Sequence, residues 1–444
     1  MLLRFEIENW MSFRDTAELS LVASRERQHG DRLPRIRKYR LRALPVAAIY
    51  GGNASGKSNL FKALAFAKRL VVDGTQPDAP ILTKPFILDD VSRAKPTRMK
   101  FEILVGDDAY EFAFAITSEH VLEESLTKVL SSTERVLYER KRNEIHFDDS
   151  LHESDADRQQ FLRFTFQTTR DNELFLTSAA SQNILEFKRV WSWFRDCLTP
   201  IGPSSFFRPS EMLVDESNPL STQVADALAA LDTGIVGLDA QEVSLEEIGL
   251  INDDEIRQLV RPGRTVRIPG PRGSRDRYLV SQDDGGVVTV KRLVARHPRP
   301  DGTEVTMSLS DEADGTRRVI DLLPAFCDIG DSLSTRVYVV DELDRSLHTL
   351  LTRQLLGSFL DACSPMTRAQ LVFTTHDLLL MDQDLVRRDE MWVTERDVEG
   401  RSSLMSFSEY EDVRYDKDIR KSYLQGRLGG VPRLFFRAAC QPKA

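Results

Sequence analysis

The segment Gly51–Leu60, with the sequence GGNASGKSNL, constrains the fold of this chain more than any other stretch. It fits the pattern G-x-x-x-x-G-K-[ST], which is typical of a phosphate-binding loop between a strand and a helix. The apolar run Pro45–Tyr50 precedes it, and the helical pattern of Asn59–Lys68 follows it. An accidental glycine-rich turn is the alternative interpretation, but strand, loop and helix occur here in the order that a phosphate-binding loop requires.

Such a loop suits an anion because the first N–H groups of a helix lack partners within the helix, and the helix dipole favours negative charge. Lys57 is expected to reach the β- and γ-phosphates of a nucleoside triphosphate, and the Ser58 hydroxyl to ligate Mg²⁺. The cofactors predicted are therefore ATP and Mg²⁺. GTP is left open, because no sequence feature indicates which nucleotide base is recognised. The residues expected to bind the nucleotide are Gly51, Gly52, Asn53, Ala54, Ser55, Gly56, Lys57, Ser58 and Asn59.

Two later segments could complete such a site. The run Arg336–Glu342 is an apolar strand that ends in two carboxylates. We expect Asp341 to hold Mg²⁺ through water, and Glu342 to orient the attacking water or accept its proton. A surface turn with two acids is the structural alternative. Another apolar strand, Ala369–Thr375, is followed by His376, which is expected to contact the γ-phosphate unless it is only a structural histidine. The predicted catalytic residues are thus Glu342, His376 and Lys57.

The segment Ser308–Leu323 predicts a helix that begins near Gly315 and Thr316. The first N–H groups of this helix could bind an anion by the same physics as the phosphate-binding loop. We expect Gly315 to serve a phosphate held by a facing subunit, although by itself the segment indicates only a helix start.

Composition excludes several classes of protein. The four cysteines are far apart without C-x-x-C spacing, which is typical of reduced thiols in a cytoplasmic protein. No apolar run approaches the roughly 20 residues needed to span a bilayer, so we expect no membrane association. The net charge of −9 means that contact with DNA would need a local basic patch. Arg25–Arg42 and the arginine-rich stretch Arg257–Arg277 are the candidates, although a solvated surface explains either one as well.

The order of patterns predicts an α/β fold, an ATPase head with a mixed sheet assembled from both ends of the chain. Residues 1–150 combine the phosphate-binding loop with alternating strands, including a hairpin around Gly106. From about 151 to 275 the period becomes helical, which predicts an inserted, mostly helical lobe. Residues 276–444 return to strands and contain Asp341, Glu342 and His376.

The segments GGNASGKSN, DEADGTRR, VYVVDELDRSLH and FTTHD together resemble the ABC-type ATPase heads of the SMC, RecF and OLD group. The resemblance makes Gly51–Ser58 the Walker A motif, Asp341 and Glu342 the Walker B motif, and His376 the switch histidine. Asp344–His348 take the D-loop position. Glu312–Thr316 stand at the signature motif, with Ala313 in place of its usual serine.

The chain is also similar to bacterial stand-alone ATPases of abortive-infection and anti-phage systems, a family that includes the AriA-like subunit of PARIS. The opening Phe5–Phe13, the middle Glu173–Ser178 and the closing Tyr423–Pro432 carry this similarity. It implies a homodimer or a larger even-numbered homo-oligomer, in which ATP gates a switch or scaffold. It also implies a separate effector protein, such as a nuclease. A RecF-like DNA-repair ATPase and a transporter subunit are the alternatives, the latter disfavoured by the altered signature.

Overall fold

The computed structural model describes residues 1–151, 156–205, 210–214, 218–231, 233–248, 260, 265–269, 275–283, 285–410 and 419–430. The chain divides into two compact units. The first comprises Met1–Gly202, Ser332–Leu343 and Leu360–Ala444, and the second comprises Pro203–Asp331 and Asp344–Phe359. The chain passes from the first unit into the second twice and returns each time, so the second unit is an insertion made of two segments.

The first unit contains a seven-stranded antiparallel sheet in the order β10-β9-β8-β7-β6-β1-β2. The predicted hairpin is confirmed, since Val105 of β6 pairs with Asp108 of β7 around Gly106. Alternating apolar side chains from one face of these strands enter the main core of the unit. The strands are β1 (Leu2–Glu8), β2 (Ala17–Ser20), β6 (Thr97–Val105), β7 (Asp108–Ile116), β8 (Val121–Val129), β9 (Glu134–Lys141) and β10 (Glu144–Phe147).

A second sheet of the first unit has the order β11-β17-β18-β5-β19-β20, and all its neighbours are parallel except the antiparallel pair β19–β20. Its central strands are buried on both faces, which explains why they read as continuous apolar runs in the sequence. Since parallel strands end at one edge, the residues after β5, β17 and β18 meet there. The strands are β5 (Val46–Tyr50), β11 (Leu198–Ile201), β17 (Val337–Val340), β18 (Gln370–Thr374), β19 (Met391–Arg396) and β20 (Ser402–Ser406), and a separate pair joins β3 (Arg35–Ile36) to β4 (Leu41–Arg42).

The helix after the phosphate-binding loop, α1, packs its apolar side into the same core as the antiparallel sheet. Phe175, Phe187 and Tyr138 form a cluster of edge-to-face rings that joins two further helices to β9. The helices of this unit are α1 (Lys57–Asp73), α2 (Asp90–Ala94), α3 (Ala156–Thr168), α4 (Phe175–Ser181), α5 (Leu185–Ser192) and α10 (Ile419–Leu424).

The second unit combines helices with a five-stranded antiparallel sheet, in which the long β15 pairs with β12, β14 and β16. Its larger core lies between this sheet and the helices α6 and α8. The elements are α6 (Pro219–Ala230), β12 (Gly237–Glu242), α7 (Leu245–Ile248), β13 (Thr265–Pro269), β14 (Arg277–Gln282), β15 (Val288–Pro298), β16 (Glu304–Ser308) and α8 (Asp314–Gly330); α9 (Thr349–Ala362) begins in this unit and ends in the first.

The predicted α/β class is confirmed, and the first unit contains segments from both ends of the chain. The bounds of the inserted unit differ from those expected. Residues 156–201 belong to the first unit, and the second unit carries a sheet besides its helices. Strand β12 of this sheet lacks the β-branched alternation that marks a strand in a sequence. Much of the arginine-rich stretch Arg257–Arg277 lies outside the described residues. In the described part of the chain, we find no helix with the length and apolarity needed to cross a membrane.

Candidate nucleotide-binding site

The phosphate-binding loop joins β5 to α1 in a conformation that requires glycine at two points. The φ angle is +147° at Gly51 and +120° at Gly56, a region that side-chain-bearing residues rarely adopt. A Cβ at Gly51 would lie 2.5 Å from the carbonyl oxygen of Thr394, and a Cβ at Gly56 would lie 2.6 Å from the Ser402 hydroxyl. The glycines of the motif therefore allow close approach of the loop to strands β19 and β20.

Lys57 is the first residue of α1 and is buried. Its ammonium donates hydrogen bonds to the carbonyl oxygens of Gly51 (2.7 Å) and Gly52 (3.0 Å), at the start of the loop. These two carbonyl oxygens are neutral acceptors that hold the Lys57 ammonium at the loop. An anionic phosphate is a stronger acceptor than a carbonyl oxygen, so it would compete for this ammonium.

The carboxylate of Asp341 lies beside the beginning of α1. Asp341 follows β17, and its Oδ1 accepts hydrogen bonds from the Ser58 hydroxyl (3.2 Å) and from the Thr374 hydroxyl (2.7 Å). Thr374, the last residue of β18, accepts a hydrogen bond from the backbone N–H of Glu342 (2.8 Å). The Thr374 hydroxyl therefore fixes both the side chain of Asp341 and the backbone of Glu342.

The backbone at Glu342 has a φ of +53°, which is uncommon for a residue with a side chain. Such strain persists where surrounding contacts enforce it, and here the bonds of Thr374 to Glu342 and of the Leu343 N–H to the Thr374 carbonyl (3.0 Å) do so. His376 follows two residues after Thr374 and is exposed. The structure thus brings Ser58, Asp341 and Glu342 to one sheet edge, and His376 to the end of the strand that clamps them.

The donors at this edge fit Mg²⁺. A hydroxyl and a carboxylate oxygen within 3.2 Å are hard oxygen ligands, and Mg²⁺ usually keeps several waters and takes only one or two protein carboxylates besides phosphate oxygens. Within the described residues, no group of three or more His, Cys, Asp or Glu side chains could hold a metal by itself. The site is therefore one that phosphate oxygens and water would complete.

Comparison with known families decides the class of the chain. A family described as "AAA domain, putative AbiEii toxin, Type IV TA system" matches residues 46–382, which is more than half of the sequence. The chain belongs to this AAA family. The matched range contains the phosphate-binding loop, Asp341, Glu342 and His376.

Other comparisons add little to this assignment. The AAA-family chain matches a crystal structure of the SmcHead bound to the C-winged helix domain of ScpA at 12% sequence identity and a TM-score of 0.38, covering 91% of this chain and 97% of that one. A similarity at this level carries no argument about function. No curated protein matches the sequence.

A set of buried hydroxyl groups contacts the phosphate-binding loop of this AAA-family protein on the side of strands β19 and β20. The Ser55 hydroxyl lies 2.6 Å from that of Thr394, and the Ser402 hydroxyl donates to the Ser55 carbonyl oxygen (2.6 Å) and lies 2.7 Å from the Ser12 hydroxyl. Asn59 also donates to the Ser12 hydroxyl (2.8 Å). Sequence reasoning missed Ser12, Thr374, Thr394 and Ser402, since single hydroxyl residues in strands and turns carry no motif.

The second unit of the AAA-family protein contains Gly315, the remaining predicted nucleotide contact. It lies in the first turn of α8, where the N-cap residue Ala313 provides no side-chain hydrogen bond. A Cβ at Gly315 would lie 2.6 Å from the carbonyl oxygen of Ser346. Glycine is therefore needed there for close packing of the helix start against the segment after Glu342.

Proposed function

We propose that this protein is a Mg²⁺-dependent ATPase whose nucleotide occupies the loop Gly51–Asn59. The observation that carries the proposal is the shared carboxylate of Asp341, which meets the Ser58 hydroxyl and the Thr374 hydroxyl at the edge where α1 begins. This arrangement couples the phosphate-binding loop to the two strands that bear Glu342 and His376. Membership of an AAA family supports the same class of activity.

Each residue has a role in this proposal. Lys57 leaves the carbonyl oxygens of Gly51 and Gly52 and binds the β- and γ-phosphates. Ser58 and Asp341 would hold Mg²⁺, which would neutralise charge on the phosphate oxygens. Glu342 orients the attacking water or accepts its proton, and His376 contacts the γ-phosphate.

We propose that ATP binding and hydrolysis switch the protein between a paired and an unpaired state. Two heads pair in a homodimer or larger even-numbered assembly, and Gly315 of one copy faces the nucleotide of the other. ATP favours the paired state only to the extent that it binds that state more tightly, and hydrolysis releases the pair. The family description names a toxin and a toxin–antitoxin system, which supports a role in anti-phage defence with a separate effector protein in the cytoplasm.

Phosphate release from ATP tests the enzymatic part. Wild type is expected to turn over ATP only with Mg²⁺, Lys57→Ala to lose nucleotide binding, and Glu342→Gln to bind ATP but turn it over about 10²-fold more slowly. Met405→Ala is a suitable control, because Met405 is a partly exposed residue of β20 away from these contacts. Turnover that is equal in Glu342→Gln and wild type would contradict the assigned role of Glu342.

A DNA-binding ATPase is a second candidate, favoured by the loop Arg25–Arg42. Its basic side chains are largely exposed, including Arg25, Arg27, Arg37 and Arg40. If this loop contacts phosphates, ATP-dependent DNA affinity should fall steeply with salt, and the slope should decrease when two of these arginines are replaced by alanine. Affinity without salt dependence would exclude this candidate.

A further inference from the structure

A cavity of about 380 Å³ lies in the first unit, between the turn that joins β6 to β7 and the segment that joins α5 to β11. We call it the tryptophan cavity, because Trp193 lines it. It shares no lining residue with the phosphate-binding loop or with Asp341 and Glu342. Small-molecule sites occupy about 300–1,000 Å³, so the cavity is large enough for a ligand other than the nucleotide.

One face of α5 and of the turn after it forms a wall of the tryptophan cavity. Residues Trp193–Cys197 form a π-helical turn, in which the Leu198 N–H donates to the Trp193 carbonyl oxygen. Such turns are rare and occur frequently at functional sites. The side chains of this wall follow three- and four-residue spacing, and they belong to Arg189, Ser192, Trp193, Asp196 and Cys197.

The indole N–H of Trp193 is a buried donor without an acceptor among the described residues. Trp193 is 2% exposed, and its Nε1 has no hydrogen-bond partner in the part of the chain that the structure describes. A buried donor that lacks an acceptor is costly, and a buried tryptophan N–H usually has a partner. An oxygen atom of a ligand in the tryptophan cavity would supply that acceptor.

Two arginines bring positive charge to the tryptophan cavity. Arg189 is exposed and Arg368 is half-buried. Arg368 donates hydrogen bonds to the carbonyl oxygens of Pro365 (3.4 Å) and Thr367 (2.8 Å), which are neutral acceptors. Among the described residues, neither arginine forms an ion pair with a carboxylate. Their charges therefore remain available to an anionic ligand.

The two acids that line the tryptophan cavity compensate this charge only in part. Asp196 accepts two hydrogen bonds from the neighbouring Arg195 (2.7 Å and 2.8 Å), so its charge is already offset. The guanidinium of Arg195 is also held over the Trp191 ring, 4.6 Å from its centre. Asp107, in the turn between β6 and β7, is the other acid. Two arginines thus face one acid whose charge is not offset by a neighbour.

The rest of the lining is mostly apolar. Met1 and Leu104 are buried, Val105 is half-buried, and all three line the tryptophan cavity together with the Trp193 ring. Apolar walls with a few polar groups that fix orientation are typical of small-molecule sites.

We propose that the tryptophan cavity binds a small monocarboxylic acid with an apolar body. The body packs against Leu104 and the Trp193 ring, and the carboxylate accepts hydrogen bonds from the Trp193 N–H and the Arg189 guanidinium. A guanidinium suits a carboxylate because its planar N–H groups can bind both oxygens. A neutral apolar molecule would leave the indole donor and the arginine without an acceptor. The site is independent of ATP binding at Lys57.

Alkylation of Cys197 by N-ethylmaleimide tests the proposal, because this thiol lines the tryptophan cavity and is partly exposed. Octanoate and 4-phenylbutyrate serve as probes, and peptide mass spectrometry measures the rate of alkylation at each cysteine. Either probe should slow alkylation of Cys197, with half-maximal protection at a concentration on the order of 1 mM. Alkylation of Cys363, which does not line the cavity, should keep its rate.

Two variants test the assigned contacts. Arg189→Ala should raise the concentration for half-maximal protection about 10-fold, because a hydrogen-bonded ion pair is lost. Trp193→Phe keeps a ring but removes the N–H, and it should raise that concentration about 5-fold. The matched control is Arg163→Ala, an exposed arginine of α3 in the same unit, which should behave as wild type. Lys57→Ala should also behave as wild type.

Saturation-transfer NMR of the probe provides a second measurement that needs no cysteine. Octanoate should give a signal with wild type and a weaker one with Arg189→Ala, whereas 1-octanol, which lacks the carboxylate, should bind more weakly to wild type. The proposal is overturned if neither probe binds or protects Cys197, if 1-octanol binds as tightly as octanoate, or if Arg189→Ala binds octanoate as tightly as wild type. Trp193→Phe decides only the role of the indole N–H, and unchanged protection in that variant would refute it.

Discussion

The Thr374 hydroxyl provides the most specific test of how the site is held together. It is buried, it donates to Asp341 Oδ1 at 2.7 Å, and it accepts from the Glu342 N–H at 2.8 Å. Thr374→Val keeps the shape of the side chain but removes both hydrogen bonds. The change therefore isolates the hydroxyl from the packing of the strand.

The magnitude follows from the two partners. A hydrogen bond to a charged group contributes about 1.5–3 kcal/mol, and a backbone N–H left without its partner in a partly buried place costs about 1–3 kcal/mol. We expect roughly half of this sum to appear as lost stability and the rest as misplacement of Asp341 and Glu342. The second part corresponds to a decrease in kcat of about 10- to 100-fold.

Steady-state ATP turnover at several Mg²⁺ concentrations measures this effect. Thr374→Val should lower kcat and raise the Mg²⁺ concentration needed for half-maximal rate, while nucleotide affinity changes little because Gly51–Lys57 are untouched. Thr374→Ser keeps the hydroxyl and should restore most of kcat. If Thr374→Ser is as slow as Thr374→Val, the methyl group and its packing matter, and the role assigned to the hydroxyl is wrong.

Three further predictions concern the surroundings of the site. Gly56→Ala places a Cβ 2.6 Å from the Ser402 hydroxyl at a φ of +120°, so it should abolish ATP binding in a calorimetric titration, whereas Gly106→Ala, with no atom within 4 Å, should leave binding intact. Ser402→Ala should weaken ATP affinity several-fold through loss of its bond to the Ser55 carbonyl, and equal affinity in this variant and in Ser403→Ala would contradict that support. Burial raises the pKa of Glu390 from 4.5 to about 7, so the folded state holds this proton more tightly than the unfolded chain. The free energy of unfolding of wild type relative to Glu390→Gln should therefore fall by about 3 kcal/mol between about pH 4 and pH 8, and parallel curves from denaturant unfolding would refute this.

The sequence predicts the centre of the candidate site because its residues obey local rules. The glycines of the loop meet strict φ requirements, and Asp341 and His376 follow apolar strands whose ends must meet if the strands are parallel. The strands β14, β15 and β16 were also predictable, since Val288–Val294 and its neighbours alternate.

The hydroxyl contacts of Ser402 and Thr374 could not be predicted from the sequence, because each joins residues that are distant along the chain. Ser402 contacts Ser12 across 390 positions of the chain, and Thr374 contacts Asp341 across 33, so only the folded sheet reveals these pairs. Strand β12, Gly237–Glu242, was missed because its residues have low β propensity and its pairing with β15 stabilises it.

The native mass of Glu342→Gln with and without Mg-ATP, measured by light scattering, tests the central claim of a nucleotide-gated pair of heads most directly. This variant should bind ATP and hydrolyse it slowly, so the paired state accumulates. The account predicts that Mg-ATP increases the mass to that of a larger even-numbered assembly, and that Lys57→Ala shows no increase. A mass that is the same with and without Mg-ATP, in protein that binds ATP, would contradict it.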